Sequence, residues 1–523
     1  MAFNNVTFNK GRGGLGRALP GTDYVSGLLF YTGATLPTGF TSSNRIKTIY
    51  SVQDAEGLGI TNASLGETKS TGTYTFSTKF SAADTFSLTC ATIASTSPIP
   101  ADAAAGTVTL ASFTAVSADA TNLITSAARL ALEINNGTTT HGFTAVSDGI
   151  SKVTWTAPAG QGIFLNSGTP YVVTKSGAVA GTLVQNVVPG VASDIDILYY
   201  HISEFFRLQP KGKLYVSLQA TADVGTFAKV TDLQNYAGGE IKQLGIYDKS
   251  SAFSTAYCTT LQSVCDTLAS NDKPLASVIL AGEISGTTDL TSYTTSLKTL
   301  TASTVSVCIG QDGAAKGFKI FKATGKSITN LGEMLGAVAF AKVSESIAYL
   351  AKFQVATSEL DVVAFANGQL WNDLSDGTKV NLDNYGYCFL RKIVDLEGGS
   401  YHNRPYTAVA ATSDYAYIHN NRTINKAIKS CRVILLPETG SPVKVNADGT
   451  LSEDVIGYFT GLCKQALDVM VSNGELSNYA VIIDPAQDIL STGTLTITIQ
   501  LLPLGTADFI VVNIGFTDIL TTA

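Results

Sequence analysis

Four histidines, at positions 141, 201, 402 and 419, are the first residues to weigh for chemistry. His402 and His419 share a polar, Tyr- and Asn-rich stretch with Asp414, so a hydrolytic group built from these three is one reading. No HExxH pair or helical metal spacing accompanies them, no G-x-S-x-G elbow is present, and the acidic residues are dispersed. We therefore read them as satisfied structural histidines. Gly11-Arg12-Gly13-Gly14-Leu15-Gly16 meets the G-x-G-x-x-G pattern in letters only, because no buried strand precedes it and Pro20 interrupts any helix after it. Gly325-Lys326-Ser327 looks like the end of a phosphate loop, but Ile320 stands where that loop needs its first glycine. The cysteines at 90, 258, 265, 308, 388, 431 and 463 are odd in number, scattered, and include no CxxC; they read as reduced, buried thiols. No catalytic, cofactor-binding or metal-binding residue is assigned. The expectation is a protein that is not an enzyme and needs no cofactor.

The elements that would position such residues belong to a long chain. At 523 residues it exceeds one hydrophobic core, so two to four domains are expected. Charged residues make up only 14%, against about 25% in a typical soluble domain, which suits a chain that hides much of its surface against copies of itself. A net charge of −7 argues against a direct nucleic-acid partner, since phosphate contacts need a cationic face. No stretch approaches the roughly 18 consecutive apolar residues of a membrane helix, so no membrane insertion is expected. The start, Met1-Ala2-Phe3-Asn4-Asn5, lacks the basic-then-apolar order of a secretory signal, and folding in a cytoplasm is expected.

The reading is a multi-domain α/β (α+β) chain of mixed sheets with flanking helices, an inserted β-rich domain and extended terminal arms. Residues 1–22 form an N-terminal arm, with Phe3, Val6 and Phe8 on a short strand and Gly11, Gly13, Gly14 and Gly16 as a hinge. Tyr24 to Thr32 reads as a first buried strand, and a helix lies near Val52-Gln53-Asp54-Ala55. An α/β core covers 23–70 and 194–420, resuming at Ile197-Leu198-Tyr199-Tyr200. Strands at Lys213–Leu218, Ser277–Ala281 and Val305–Ile309 alternate there with helices at Ser254–Leu268 and Ser327–Val343. In the last helix Gly332 and Gly336 allow close packing. Between the halves, 71–193 shifts to Ala, Thr, Ser and Gly with short strands and one amphipathic helix, Ile124–Ile134, as an inserted surface domain does.

A C-terminal core domain spans 421–507 and an arm strand 508–523. Thr450-Leu451-Ser452-Glu453 is a capping-box pattern opening a helix that closes at Asn473-Gly474. Tyr479–Ile483 is a strand, Thr494–Leu501 alternates perfectly as a half-buried strand, Pro503 and Gly505 bend the chain, and Phe509–Phe516 is a last apolar strand.

The order of motifs from Asn478 to Phe516 resembles the end of contractile phage tail sheath proteins. The sequence is a strand, an Asp484-centred turn, Gly493, an alternating strand, the bend at Pro503, then Ala507-Asp508-Phe509-Ile510. Asn421 to Ala427, followed by a strand at Val433-Ile434-Leu435-Leu436, is similar to the sheath core, and GGLGR and KVSESIAYLAKF resemble a divergent Bacteroidetes-type branch. Gly505-Thr506 departs from the Pro-rich step usual before the final strand. The resemblance implies a helical homo-oligomer of stacked hexameric rings, sleeved on a tail tube protein and joined to baseplate and terminator proteins. It would be assembled in a host bacterial cytoplasm and carried on a virion tail or phage-like particle. Contraction would drive the tube through a target envelope. Subunits would be joined by strands from neighbouring arms: Phe509, Ile510, Val511, Val512, Ile514 and Phe516 at one end, Phe3, Val6 and Phe8 at the other. Arg422, Lys426, Lys429 and Lys464 would be tube contacts. The competing class is a non-contractile surface or adhesion structural protein whose binding module is the 71–193 insertion.

Overall fold

The structure, a computed structural model, describes residues 23–61, 69–92, 106–158, 165, 169–188, 194–357, 359–396, 398–512 and 516. The expected arm strand Phe3, Val6 and Phe8, the hinge glycines Gly11, Gly13, Gly14 and Gly16, and Ile514 lie outside these residues. The architecture is multi-domain α/β with mixed sheets and flanking helices, and the chain divides into two units. The first is Met1–Ala341 with Ile347–Ile418; the second is Lys342–Ser346 with His419–Ala523.

In the first unit the chain opens with β1 (Ser26–Thr32), whose seven residues are all buried, then β2 (Ile46–Ile49) and the short α1 (Val52–Gly57) capped by the Ser51 side chain. It then leaves this layer for β3 (Thr71–Thr78), β4 (Thr85–Thr92), β5 (Gly106–Thr114), α2 (Leu123–Asn136), α3 (Thr138–His141), β6 (Thr144–Ser147), β7 (Lys152–Thr156), β8 (Tyr171–Lys175) and β9 (Ala180–Val188). These strands make two antiparallel sheets, in the orders β6-β7-β3-β9 and β5-β4-β8. The helix α2 has a reciprocal cap between Asn122 and Thr125 and buries Ala127, Leu130, Ala131 and Ile134, one face at helical spacing. Their core is aromatic: Tyr74, Phe76, Phe80, Phe86, Trp155 and Tyr171 are all at most 2% exposed. Gly72 is required here, because a Cβ would stand 2.7 Å from the Trp155 indole.

The chain returns as a helix. Ile197 to Tyr200 lie in α4 (Asp194–Leu208), followed by β10 (Leu214–Ala220), α5 (Ala228–Tyr236), β11 (Gln243–Tyr247), α6 (Thr255–Ser270), β12 (Ser277–Ala281) and β14 (Val305–Cys308). The sheet order is β14-β12-β11-β1-β10-β2, with every neighbouring pair parallel except β10 with β2. Parallel sheets of this kind are covered on both faces, which explains runs such as Leu28-Leu29-Phe30-Tyr31 in place of alternation. Leu28 and Phe30 enter one core with α4 and the later α8 (Leu331–Phe340). Leu29 and Tyr31 enter the other, where α5 contributes Val230 and Leu233 and α6 contributes Cys258, Leu261, Cys265 and Leu268.

Helices α4 and α8 touch through glycine. A Cβ on Gly332 would lie 2.2 Å from the His201 carbonyl oxygen, and one on Gly336 2.8 Å from that of Phe205. The expected helix Ser327–Val343 is shorter, since Asn330 and Ala341 end it. The remaining pieces are α7 (Lys316–Thr324), α9 (Asp376–Asn384) and three short ladders: β13 (Thr301–Ala302) with β19 (Ala408–Val409), β15 (Gly310–Asp312) with β16 (Val363–Phe365), and β17 (Leu390–Arg391) with β18 (Tyr401–His402).

The second unit, which starts two residues before the expected 421, is built on α10 (Ile418–Leu435), α11 (Glu453–Ser472), β20 (Asn478–Ile482), α12 (Ile489–Thr492) and β21 (Thr498–Leu502). Val433 to Leu435 are the last turn of α10 rather than the expected strand. Ala427, Cys431, Ile434 and Leu435 fall on one helical face and pack together, and that period outweighs the β-preference of a four-residue run. The capping box at Thr450 is replaced by a turn. Ser452 is the N-cap without a side-chain bond, while the Thr450 hydroxyl donates to Asp448 at 2.7 Å and accepts from Asn446. Among the described residues no helix is long and apolar enough to cross a membrane.

Candidate functional site

Among the described residues the second unit's sheet has two strands. β20 and β21 run antiparallel with Tyr479 opposite Leu501 and Val481 opposite Ile499. These four turn towards Leu467, Met470, Ala427 and Cys431 of the two long helices, and each remains half-buried. Thr498, Gln500 and Leu502 face the other way and are exposed. A two-stranded hairpin is marginal by itself, and among the described residues neither outer edge carries a further strand. Each edge therefore presents a row of backbone donors and acceptors to which another chain can pair.

The first half of the alternating stretch, Thr494–Ile497, is not in the ladder because β20 stops at Ile482. The Gln487 side-chain amide substitutes for a strand there, accepting from Thr496 N at 2.6 Å and donating to Thr496 O at 2.9 Å. Leu495 and Ile497 still reach a small core around Leu451, Phe459 and Ile483.

Beyond β21 the chain is exposed from Leu502 to Val512, and 503–512 are in neither helix nor strand. Phe509, Ile510, Val511 and Val512 are 76%, 82%, 83% and 72% exposed, and Phe516 is fully exposed. Among the described residues the expected final strand is thus an apolar run outside any ladder. The bend residues Pro503 and Gly505 are exposed too, and a Cβ on Gly505 would touch nothing within 4 Å.

The four cations expected at a tube surface do not form one patch. Arg422 is 3% exposed and donates to the Lys342 carbonyl at 3.2 Å, and Lys426 pairs with Glu475 at 2.5 Å. Both serve the unit's interior; Lys429 and Lys464 are exposed.

The residues weighed for chemistry are held in structural roles. His402 Nε2 lies 3.0 Å from Glu333 Oε1, whose other oxygen accepts from Asn330, and all three are buried. Glu333 sits in the first turn of α8, where the helix dipole favours a negative charge. His419 is lowered to about 4 by burial, with Arg422 adding to the effect, and His201 to about 3 by burial alone. Burial pushes the thiols of Cys90, Cys258, Cys265 and Cys308 up to about 12 and that of Cys431 to about 11, the reverse of an activated nucleophile. Gly325 closes α7 in the left-handed region (φ +63°), while Ser327 donates its N–H to Glu283 and its hydroxyl to the Ala366 carbonyl.

Two features escaped the sequence. Gln487 as a surrogate strand has no signature in its neighbours. The buried Glu333–His402 pair is separated by 69 positions, and only the fold joins it.

No curated protein matches the chain. Among solved structures it is similar to chains of the anti-feeding prophage (AFP). With the contracted helical sheath the identity is 17%, the TM-score 0.44, and the match covers 61% of this chain and 81% of that one. With the sixfold-symmetrised AFP baseplate the values are 17%, 0.40, 60% and 80%. With the contracted AFP baseplate they are 13%, 0.38, 61% and 84%. The family model described as DUF2586, C-terminal domain, matches residues 414–520, nearly the extent of the second unit. The model described as DUF2586, N-terminal domain, matches 131–403, starting inside α2 and covering more than half of the 523 residues. By that extent of match, the chain belongs to the DUF2586 family.

Proposed function

We propose that this chain is a structural subunit of a contractile injection device, specifically a tail sheath protein that polymerises as a helical sleeve around a tube and contracts to drive it through an envelope. The observation that carries the reading is the pairing of an unfinished sheet with an exposed apolar run in one unit. β20–β21 lacks strands at both edges among the described residues, and Phe509 to Val512 are exposed and apolar. Each of these is a liability in a free monomer and each resolves the other when copies meet.

A backbone hydrogen bond contributes about 0.5–1.5 kcal/mol net. Burying Ile510 and Val512 adds about 1.5–3 kcal/mol each. Such a joint holds while subunit bodies rotate as rigid pieces, with Pro503 to Gly505 as the compliant link. The first 22 residues would add the second strand, again through Phe3, Val6 and Phe8. Tube protein, baseplate and terminator proteins would be the other partners, and a phage tail or related particle the location. Contraction in this scheme draws on free energy stored in the lattice, so the chain needs no catalytic residue or cofactor of its own.

Negative-stain microscopy of the purified chain and of a 1–507 truncation tests the proposal. Cylinders or stacked rings are expected from the first, and dispersed, folded particles from the second. Ordered cylinders from the truncation would overturn it, and a full-length chain that stays monomeric at high concentration would favour the surface-protein reading.

A further inference from the structure

The two edges of the β20–β21 hairpin are not equivalent. Side chains alternate between half-buried and exposed without a break from Thr494 to Leu502, so the backbone keeps one pleat through the stretch. In such a pleat the N–H and C=O of one residue point to the same edge, and those of the next residue to the other. Thr496 turns both of its groups to the side-chain amide of Gln487, which follows β20. The Leu502 carbonyl accepts from the N–H of Ser477, which precedes β20. Thr496, Thr498, Gln500 and Leu502 therefore face β20. Leu495, Ile497, Ile499 and Leu501 send their N–H and C=O groups to the outer edge, where no strand lies among the described residues.

The outer edge of β20 is shorter and partly taken. Tyr479 and Val481 face it, but the Tyr479 N–H donates to Asn478 Oδ1 at 2.8 Å. Beyond β20, Pro485 has no N–H to give, and its carbonyl accepts from the Leu451 N–H at 2.8 Å. On the β21 side the row runs from Leu495 to Leu501 with no side chain capping it among the described residues, and it ends at Pro503. Ile497, Ile499 and Leu501 are each half-buried on the face turned to the helices. A strand laid beside them puts every second side chain on that same face, so an apolar occupant completes their cover.

We propose that the outer edge of β21, from Leu495 to Leu501, is where the apolar run Phe509–Val512 of a second copy docks, and that the edge of β20 does not receive it. The assignment rests on the assembly proposed above, which leaves both edges open. Neither the row nor the run carries a charged side chain, so no charge has to be stripped of water when they meet. In a single copy the run is at least 72% exposed and in no ladder, and the β21 edge stands free for a neighbour's.

Val481 and Ile499 stand opposite each other, turn their side chains to the same helices and send their N–H groups to opposite edges. Val481→Pro and Ile499→Pro are therefore a matched pair: each leaves the hairpin's own bonds intact and blocks docking on one edge. A labelled peptide of residues 505–512 is titrated into the full chain at a concentration where the chain is dispersed, and cylinder formation is followed beside it. Ile499→Pro should weaken peptide binding and raise the assembly concentration by at least about tenfold, while Val481→Pro stays within about twofold of the wild type. The reverse order, or equal effects, would overturn the assignment, and so would a wild-type chain that binds no peptide. Peptide binding that follows the expected order in a chain that never forms cylinders supports the β21 edge and sinks the sheath reading instead. Should either variant fail to fold, hydrogen exchange of the wild-type chain decides. Peptide binding should slow amides within 495–501 by at least about tenfold and leave those within 478–482 unchanged, and the opposite pattern refutes the proposal.

Discussion

Replacing Ile510 and Val512 together by Asp separates the folded state of the chain from its association. On a strand these two share one face, and Phe509 and Val511 share the other. In the isolated chain Ile510 and Val512 are 82% and 72% exposed, so the substitution removes almost no buried apolar area. Surface changes of that kind stay within about 0.5 kcal/mol, and the unfolding midpoint should move by no more than about 1–2 °C. In a joint where the run is laid against a neighbour's open edge, each side chain contributes about 1.5–3 kcal/mol. The pair is then worth about 3–6 kcal/mol per joint, a factor of about 100 to 20,000 in the association constant.

The assay is the protein concentration at which cylinders first pellet and appear in negative stain, beside a thermal melt of the unassembled chain. The double variant should melt normally and fail to assemble at any concentration that suffices for the wild type. Phe509→Asp with Val511→Asp reads the opposite face: a weaker effect means a strand covered on one side only. Cylinders at the wild-type concentration from the Ile510/Val512 variant would refute the reasoning, because no lattice joint would then be using these side chains.

Glycine supplies a pair of opposite outcomes. Gly332→Ala places a methyl 2.2 Å from the His201 carbonyl oxygen, and the overpacking cost of about 1–3 kcal/mol should exceed the gain of about 1 kcal/mol in helix propensity. Gly457→Ala and Gly461→Ala, on α11 with nothing within 4 Å of the added carbon, should each stabilise the chain by about 1 kcal/mol. Denaturant melts of the three variants check both signs. The buried histidines give a pH dependence. His201 and His419 are depressed in the fold, so they are neutral there and the unfolded chain binds the proton more readily. Their contribution to stability is complete above about pH 6.5 and falls as pH drops towards 4, by about 2 kcal/mol per histidine at pH 5. Melts at pH 7 and pH 5 should show this loss, reduced in His419→Gln. All seven cysteines are buried, so a thiol-specific chromogenic reagent should label none of them rapidly in the native chain and all of them in denaturant.

How far the fold can be read from the chain depends on whether a local pattern or a distant partner decides the outcome. Leu28 to Tyr31 and Val278 to Ala281 could be placed as buried strands because a run without alternation needs cover on both faces, and both runs sit inside the six-stranded sheet. Gly332 and Gly336 could be read as contact glycines because nothing else justifies two in one core helix. Val433 to Leu436 could not, since four β-branched and aliphatic letters fit either state until Ala427 and Cys431 reveal the helical period.

The final apolar run is the sharpest case. Its composition marks a strand, yet a strand is defined by what pairs with it, and in a single copy of this chain Ile510 to Val512 remain outside any ladder. Here the local preference and the single-copy structure disagree; under the proposed assembly the missing partner would be an edge of β20 or β21, neither of which carries a further strand among the described residues. A conflict of that form is what a segment built to fold only on assembly must display when it is alone. Had the segment closed its own sheet in a single copy, Ile510, Val511 and Val512 would stand in a ladder and be covered; they are 72% exposed or more and in none.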